Sequence, residues 1–164
     1  MYKGAIKMIT LEIPGYKNIE VKNVVFDFNG TIAEDGIIIE NLKEKIRELS
    51  YKGVDIFVIT ADTYGTVAKQ CEKLPLKVEI FNKEDSSEDK KRIVESLGYN
   101  VTVTIGNGRN DIEMFKKSII SIAVIGKEGC FSKTILESDI VVNNAMDAID
   151  LLLKTNRVKS TLRT

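Results

Sequence analysis

The sequence predicts an α/β fold in which helices cover both faces of a mainly parallel sheet. Three observations predict it. Short apolar runs alternate with segments of helical periodicity along most of the chain. The runs are apolar throughout, as in strands that are buried on both faces. With 164 residues, of which 43% are hydrophobic, one domain with a sizeable core is expected.

The N-terminal residues predict a hairpin, because apolar and polar residues alternate there. Residues 9–13 form the first expected arm and Pro14-Gly15 the turn. Residues 19–25 form the second arm, which leads into the first buried strand. The expected organisation is a single domain over residues 1–164, with an exposed hairpin over 1–23, a core over 24–153 and a solvated basic tail over 154–164.

Apolar runs and helical spacing alternate through the core. Gly53 and Gly98 follow two helical segments as stops, Pro75 breaks the chain before a strand, and Asn144 is a typical N-cap. The expected strands are residues 54–59, 76–81, 101–105, 119–125 and 140–142, and an apolar run over residues 37–39 precedes the first helix. The expected helices are residues 41–49, 64–72, 87–97, 111–117, 131–137 and 145–153.

Composition limits the classes of function. The formal net charge is zero, which gives no field to attract nucleic acid or an anionic membrane, and no apolar stretch has membrane-spanning length. The chain has no histidine, so proton transfer falls to other groups. Cys71 and Cys130 lack metal-ligand spacing and are expected to be reduced thiols of a cytoplasmic protein.

Acidic residues follow two of the expected strands, where each strand gives way to a glycine turn. Asp27 follows Val24-Val25-Phe26, and Asp111 closes the turn after the strand over residues 101–105. Open α/β sheets bind ligands at the carboxyl ends of their strands. The two junctions therefore predict a metal-assisted site that is built from loops at one edge of the sheet.

Four motifs follow one another along the chain. They are Phe26-Asp27-Phe28-Asn29-Gly30-Thr31, Val58-Ile59-Thr60, a lysine that opens the helix before the fourth strand and is best matched by Lys90, and Gly106-Asn107-Gly108-Arg109-Asn110-Asp111. In this order they resemble the motifs of the haloacid dehalogenase superfamily, whose phosphohydrolases use an aspartate nucleophile. The resemblance covers residues 24–153, and the soluble relatives of P-type ATPases carry the most similar motifs. It implies a Rossmann-like core.

The resemblance implies that Asp27 is the nucleophile, since a carboxylate can attack phosphorus and form an aspartyl-phosphate. It implies that Lys90 neutralises charge between this carboxylate and the phosphate. Lys91 and Lys83 are the rivals of Lys90 for that role.

The resemblance also implies a set of groups that bind the phosphoryl oxygens. Thr60 offers a hydroxyl, and Gly30 and Ala61 offer backbone N–H groups. Thr31 of the first motif and Lys90 complete the expected substrate-binding residues.

Mg²⁺ is the expected cofactor, because two anions do not approach each other unaided. This ion suits a site with a few protein oxygens and several waters. Asp27 and Asp111 are expected to supply carboxylates, and the carbonyls of Asn29 and Asn107 to supply neutral oxygens.

Each of these residues alone also has an ordinary structural explanation. An aspartate at Asp27, before Asn-Gly, is often a turn former, and Asp111 fits as an acid at a helix N-terminus. Thr60 fits as a β-branched strand residue and Lys90 as solvated helix surface. The joint order of the motifs is what favours the functional interpretation.

Two residues depart from the family pattern. Asn29 stands where most of these phosphatases have a general acid and base, a group worth roughly a hundred- to ten-thousandfold in rate. Asn107 stands where the family has a metal-binding aspartate, so metal affinity should fall. The hypothesis is a phosphatase or weak ATPase with slow turnover. The alternative is a phospho-ligand binding or regulatory protein with the same fold and little turnover.

The spacing of the motifs leaves no room for a cap domain. Residues 27–60 hold one helix, and residues 60–90 hold one helix and one strand. The expected substrate is a small phosphate ester or ATP, and the hairpin and basic tail are candidates for an oligomer contact that closes the open site. A receiver domain also uses Asp, Thr and Lys, but it places its phosphoacceptor on a middle strand after an earlier acidic pair.

Overall fold

Strands and helices alternate in the computed structural model, which describes residues 8–62, 65–81 and 84–164. The strands are β1 (Ile9–Glu12), β2 (Asn18–Val21), β3 (Asn23–Asp27), β4 (Ala33–Glu34), β5 (Ile37–Ile38), β6 (Asp55–Thr60), β7 (Lys77–Ile80), β8 (Thr102–Gly106), β9 (Ile120–Val124) and β10 (Ile140–Val142). The helices are α1 (Glu40–Tyr51), α2 (Thr66–Cys71), α3 (Ser86–Leu97), α4 (Ile112–Lys116), α5 (Ser132–Leu136), α6 (Ala145–Leu153) and α7 (Asn156–Leu162). Single 3-10 turns, Tyr99–Val101 and Arg109–Asp111, precede β8 and α4. Within these described ranges, no helix has the length and apolar character needed to cross a membrane.

Strand β3 lies inside a six-stranded parallel sheet of order β10-β9-β8-β3-β6-β7. Phe26 of β3 pairs with Val58 of β6 on one side and with Ile105 of β8 on the other. The carboxyl ends of these three strands therefore meet, and they bring Asp27 and Thr60 to the same edge of the sheet. This confirms the predicted fold class and places the first, second and fourth motifs together.

Helices cover both faces of the sheet, as predicted. Val24 and Phe26 point to one face, where they join a core cluster that includes side chains of α1, α2, α6 and α7. Val25 points to the opposite face and packs in a second cluster with side chains of α3 and α4. The alternation along a strand that is buried on both faces explains why its sequence is apolar throughout.

The N-terminal hairpin of β1 and β2 is present, but the prediction that it is exposed was wrong. Antiparallel pairing sets Leu11 opposite Ile19, and both side chains are buried in the core cluster of α1 and α6. The second arm ends at Val21, before β3. The N–H of Lys22 then donates to the carbonyl oxygen of Val101 at 2.8 Å and ties the hairpin to the amino end of the sheet.

The C-terminal residues 154–164 form helix α7 and are not the solvated tail that the sequence predicted. Val158 is fully buried, and Leu162 packs against the same core cluster. The N–H of Thr164 donates to the carbonyl oxygen of Pro14 at 3.3 Å. Two apolar residues four apart are too short a pattern to be recognised among basic neighbours.

A small hairpin, which we call the flap (residues 33–38), follows the first motif. The sequence shows the apolar run over residues 37–39 but did not predict this hairpin, in which β4 pairs antiparallel with β5. Asp35 and Gly36 have φ angles of 50° and 76° and make the tight turn between the two strands. The flap and α1 are the elements between β3 and β6, and α2 is the described element between β6 and β7. Among the described residues, neither connection holds a cap domain.

Replacement of Val158 by Ala tests whether α7 is part of the folded core. The change removes two buried methyl groups, so the free energy of unfolding should fall by about 2 kcal/mol. Urea denaturation monitored by circular dichroism measures it. Ser160→Ala, at an exposed position on the same helix, is the matched control and should leave stability unchanged. Equal stability of the two variants would contradict a packed α7.

Candidate active site

The ammonium group of Lys90 lies at the centre of the site. Its Nζ is 2.7 Å from Oδ1 of Asp27 and 2.7 Å from Oδ1 of Asp111. It also donates to Oδ1 of Asn110 at 3.1 Å and lies 5.0 Å from the centroid of the Phe81 ring. The Lys90 side chain is fully buried, and three acceptors match the three donors of its ammonium.

Helix α3 determines which lysine reaches Asp27. Lys90 and Val94 are buried, and their spacing of four places them on the same face of α3. Lys91 is turned away from that face and pairs with Glu88 at 3.0 Å. Of the three lysines considered from the sequence, the structure brings Lys90 to the carboxylates, and Lys83 lies outside the described residues.

Asp111 is fully buried and is held by the fourth motif itself. Its Oδ2 accepts hydrogen bonds from the N–H groups of Asn107 at 3.0 Å and Gly108 at 2.8 Å, while its Oδ1 faces Lys90. A Cβ at Gly106 would collide with this carboxylate, which explains the glycine there. Both oxygens of Asp111 are engaged, so its role as a direct metal ligand stays a prediction.

Asn107 joins the first and fourth motifs. Its Oδ1 accepts from the hydroxyl of Thr31 at 3.2 Å, and its Nδ2 donates to the carbonyl oxygen of Gly129 at 3.0 Å. Gly30 has a φ of 78°, and a Cβ there would collide with the Asn107 amide. The glycine of the first motif therefore allows the two loops to approach each other closely.

The donors predicted at Gly30 and Thr31 are used within these loops. The N–H of Gly30 donates to the carbonyl oxygen of Ala33 at 2.9 Å, because it closes the turn into the flap. The hydroxyl of Thr31 donates to Asn107, and Thr31 is itself buried. Both donors are thus already engaged within the protein, and their binding of phosphoryl oxygens stays a prediction.

A cavity of about 390 Å³ opens above Asp27 at the carboxyl edge of the sheet. The cavity is lined by Asp27, Asn29, Thr60, Ala61, Phe81, Ser86, Asn107, Gly108 and Asn110. The Thr60 hydroxyl accepts from the N–H of Asp62 at 3.1 Å, which leaves its own proton for a ligand. A second cavity of about 280 Å³ shares Asn29, Thr60 and Ala61 with the first and extends towards the flap.

Two curated proteins of Methanocaldococcus jannaschii are similar in sequence, although no protein-family model matches the chain. An uncharacterised protein is 56% identical over 61 residues, which are 37% of this chain and 66% of that protein. A soluble P-type ATPase-like phosphatase is 27% identical over 128 residues, which are 76% of this chain and 46% of that protein. The chain spans less than two thirds of the length of either relative.

Solved structures share the architecture. The cobalt-bound deoxy-D-mannose-octulosonate 8-phosphate phosphatase of Haemophilus influenzae superposes with a TM-score of 0.70 at 17% identity, over 88% of this chain and 94% of that one. A 3-deoxy-D-manno-octulosonate 8-phosphate phosphatase of Moraxella catarrhalis, in complex with magnesium, phosphate and a KDO molecule, gives 0.69 at 17% identity, over 87% and 94%. The chain has the haloacid dehalogenase fold.

Within this haloacid dehalogenase fold, the carboxyl group of Asp27 has a raised pKa. Burial raises the pKa of Asp27, and the charge of Asp111 raises it further, to about 7 from the ordinary 3.8, although Lys90 lowers it. Burial alone would lower the pKa of Lys90, but Asp27 and Asp111 outweigh this and hold it above its ordinary value. Lys90 therefore stays charged, while the charge of Asp27 depends on any further cation in the site.

The residues present fit a magnesium ion held by few protein ligands. Two buried carboxylates face one lysine, which leaves one negative charge for a cation to compensate. Asp27, Asn29 and Asn107 line the same cavity and carry oxygen donors. Residues 8–62, 65–81 and 84–164 contain no group of three or more His, Cys, Asp or Glu side chains that converge on a metal position. One carboxylate, neutral oxygens and water are a ligand set that Mg²⁺ accepts.

Sequence reasoning missed three residues that shape the site. Asn110 accepts from Lys90 and donates from its Nδ2 to the hydroxyl of Ser86 at 3.2 Å, and it so joins the fourth motif to the start of α3. Phe81 places its ring beside the Lys90 ammonium. The position of Asn110 inside the fourth motif was a usable signal, whereas Phe81 and Ser86 have none in the local pattern.

Replacement of Lys90 by Met tests the buried ion cluster. The variant leaves Asp27 and Asp111 buried without their cation, so the free energy of unfolding at neutral pH should fall by about 3–5 kcal/mol. Urea denaturation measures it. Lys91→Met removes a half-buried i,i+3 pair with Glu88 at the surface of the same helix and should change stability by less than about 1 kcal/mol. Similar losses in the two variants would show that Lys90 does not hold the carboxylates.

The raised pKa of Asp27 predicts a pH-dependent stability difference between the wild type and Asp27→Asn. Between about pH 4 and pH 7 the folded state binds the proton of Asp27 more tightly than the unfolded state does, so this group makes stability fall as pH rises. Asparagine does not titrate, so the variant should gain stability relative to the wild type across that window. Urea denaturation in the presence of EDTA, at several pH values, measures the difference. Addition of Mg²⁺ should reduce it, and a difference that does not vary with pH would contradict the assignment.

Proposed function

We propose that this protein is a Mg²⁺-dependent phosphohydrolase that transfers a phosphoryl group from a small ester to Asp27 and then to water. The observation that carries the proposal is the placement of Asp27. Its carboxylate lies at the floor of an open cavity at the carboxyl edge of the sheet, with one oxygen held by a buried lysine. The sequence similarity to a soluble P-type ATPase-like phosphatase supports the same chemistry.

The first step is the attack of Asp27 on phosphorus. Oδ1 accepts the hydrogen bond of Lys90, so Oδ2 forms the new bond while the bond from phosphorus to the leaving oxygen breaks. Asn29 lines the cavity but has no acidic proton to give. The leaving oxygen therefore takes its proton from water, or leaves as a stable anion.

The second step is hydrolysis of the aspartyl-phosphate. A water molecule attacks phosphorus, Asp27 regains its carboxylate, and inorganic phosphate leaves. A general base in the position of Asn29 would accept the proton of that water, and its absence removes roughly a hundred- to ten-thousandfold in rate. Slow turnover and a phosphoenzyme that persists are the expected consequences.

Bound Mg²⁺ would supply positive charge between the carboxylate and the phosphate. Asp27, the carbonyl of Asn29 and the amide oxygen of Asn107 are the residues that would hold it, and Asp111 would act through Lys90 and the loop amides. The relative with magnesium and phosphate in its complex supports the choice of ion. The Thr60 hydroxyl, the Ala61 N–H and the Lys90 ammonium would bind the phosphoryl oxygens.

A small phosphate ester is favoured over ATP as the substrate. The cavity above Asp27 is about 390 Å³, and no nucleotide motif accompanies it in the sequence. Free cysteines at Cys71 and Cys130 support a reducing, cytoplasmic location.

The alternative is a phospho-ligand binding protein with little turnover. One observation favours it: Asn107 is already bonded to Thr31 and Gly129 and adds no charge to the metal position.

Phosphate release from a panel of small phosphate esters and ATP, with Mg²⁺ present, tests the proposal. Turnover should occur with at least one ester and should fall by about a thousandfold or more in Asp27→Asn, because the nucleophile is lost. Asp55→Asn, at an exposed position at the opposite end of β6, is the matched control and should retain full activity. Binding of phosphate esters without turnover in the wild type would favour the alternative, and turnover that survives in Asp27→Asn would contradict the mechanism.

A further inference from the structure

The side chain of Gln70 clamps the flap from the outer side of helix α2. Its Oε1 accepts from the N–H of Ile38 at 2.9 Å, and its Nε2 donates to the carbonyl oxygen of Gly36 at 2.9 Å. One side-chain amide therefore satisfies a backbone donor and a backbone acceptor of the flap. The partners are separated by 32 and 34 residues along the chain, so the clamp joins the flap to helix α2.

The flap and α2 each follow a strand that ends at the site. The flap follows β3, which ends at Asp27, and α2 follows β6, which ends at Thr60. Strands β3 and β6 are hydrogen-bonded neighbours. Gln70 thus fixes the distance between the segment after the proposed nucleophile and the helix after the proposed phosphate-binding threonine.

The opposite side of the flap is held by weaker contacts. Glu34 pairs with Lys127 at 2.9 Å, and the N–H of Asp35 donates to the carboxylate of Glu128 at 3.3 Å. These groups are exposed, and exposed ion pairs contribute little to holding a segment in place. Ala33 and Ile38 anchor the flap in the core cluster. Gln70 adds to this packing a half-buried hydrogen bond to Ile38 and a second, more exposed one to Gly36.

The clamp meets the second cavity of the site at Gly36, which accepts from Gln70 and also lines that cavity. This groove of about 280 Å³ lies between the flap at Gly36 and the start of α2 at Thr66 and Val67, and its floor is shared with the catalytic cavity at Asn29 and Thr60. For a phosphoryl group above Asp27, this groove is an adjoining space that shares three lining residues, Asn29, Thr60 and Ala61, with the catalytic cavity. Its width depends on where the flap is held.

We propose that Gln70 is a positioning residue that sets the width of the groove between the flap and α2, where the non-phosphate part of the substrate lies. This assignment rests on the proposed phosphohydrolase function. Gln70 contacts no reacting atom; it acts through the flap backbone. Glutamine suits the task because its amide carries both a donor and an acceptor, whereas glutamate lacks the donor and leucine lacks both.

The first test compares two substrates whose leaving groups differ in size. In Gln70→Leu, kcat/KM for p-nitrophenyl phosphate should fall about tenfold through KM, since two ordinary hydrogen bonds that hold the flap are lost. Acetyl phosphate, whose leaving group is too small to reach the flap, should be affected less than about twofold. Gln70→Glu keeps the bond to Ile38, so its kcat/KM for p-nitrophenyl phosphate should lie between those of the wild type and Gln70→Leu. Lys69→Leu, the exposed neighbour on α2, is the matched control.

The second test needs no turnover. Hydrogen exchange of the Ile38 amide, read by NMR, should be about tenfold faster in Gln70→Leu than in the wild type or Lys69→Leu, because that N–H loses its acceptor. Unchanged exchange, or equal loss on both substrates, would overturn the assignment of Gln70. Absence of turnover in the wild type with faster exchange in the variant would instead overturn the proposed function, together with the substrate part of this inference, and leave the clamp standing.

Discussion

A single buried ammonium group holds the candidate active site together. Lys90 lies between Asp27 at the end of β3 and Asp111 in the loop after β8, at 2.7 Å from each. Both carboxylates are buried, and the ammonium group between them offsets part of the cost of taking them out of water. The parallel pairing of β3 with β8 is what brings the two acids close enough to share one cation. The sheet therefore sets the electrostatics of the site before any ligand enters.

That arrangement leaves the site one positive charge short. Burial and Asp111 raise the pKa of Asp27 to about 7, which means that ionisation of the proposed nucleophile is opposed by its surroundings until a further cation arrives. The asparagines at positions 29 and 107 do not add negative charge to the cavity, in contrast to the acids of the motifs that the sequence resembles. They therefore limit repulsion around Asp27 and Asp111. Under the proposed function, the same two residues would also weaken metal binding and slow proton transfer.

The motifs and the strands could be predicted from the sequence because both depend on local pattern. The expected strand over residues 54–59 is β6 (Asp55–Thr60), and the expected cap at Asn144 accepts from the N–H of Asp147 at 2.9 Å. The contacts of Gln70 with the flap had no local signal in the sequence. They join a side chain to backbone groups that lie more than 30 positions away along the chain. Helix α7 was missed because basic residues conceal its two apolar positions. The hydrogen bond from the Gly30 N–H to the carbonyl oxygen of Ala33 could not be predicted either, because the motif alone suggests a free donor.

The most direct test of the central claim is detection of the phosphoenzyme itself. The protein would be incubated with acetyl phosphate and Mg²⁺, quenched in acid, and mapped by peptide mass spectrometry. The account predicts phosphate on the peptide that contains Asp27, its absence in Lys90→Met, and faster decay of the label in Asn29→Asp, where a general base is restored. Phosphate on another residue, such as Asp62, or a label on Asp27 that forms equally well without Lys90, would contradict it.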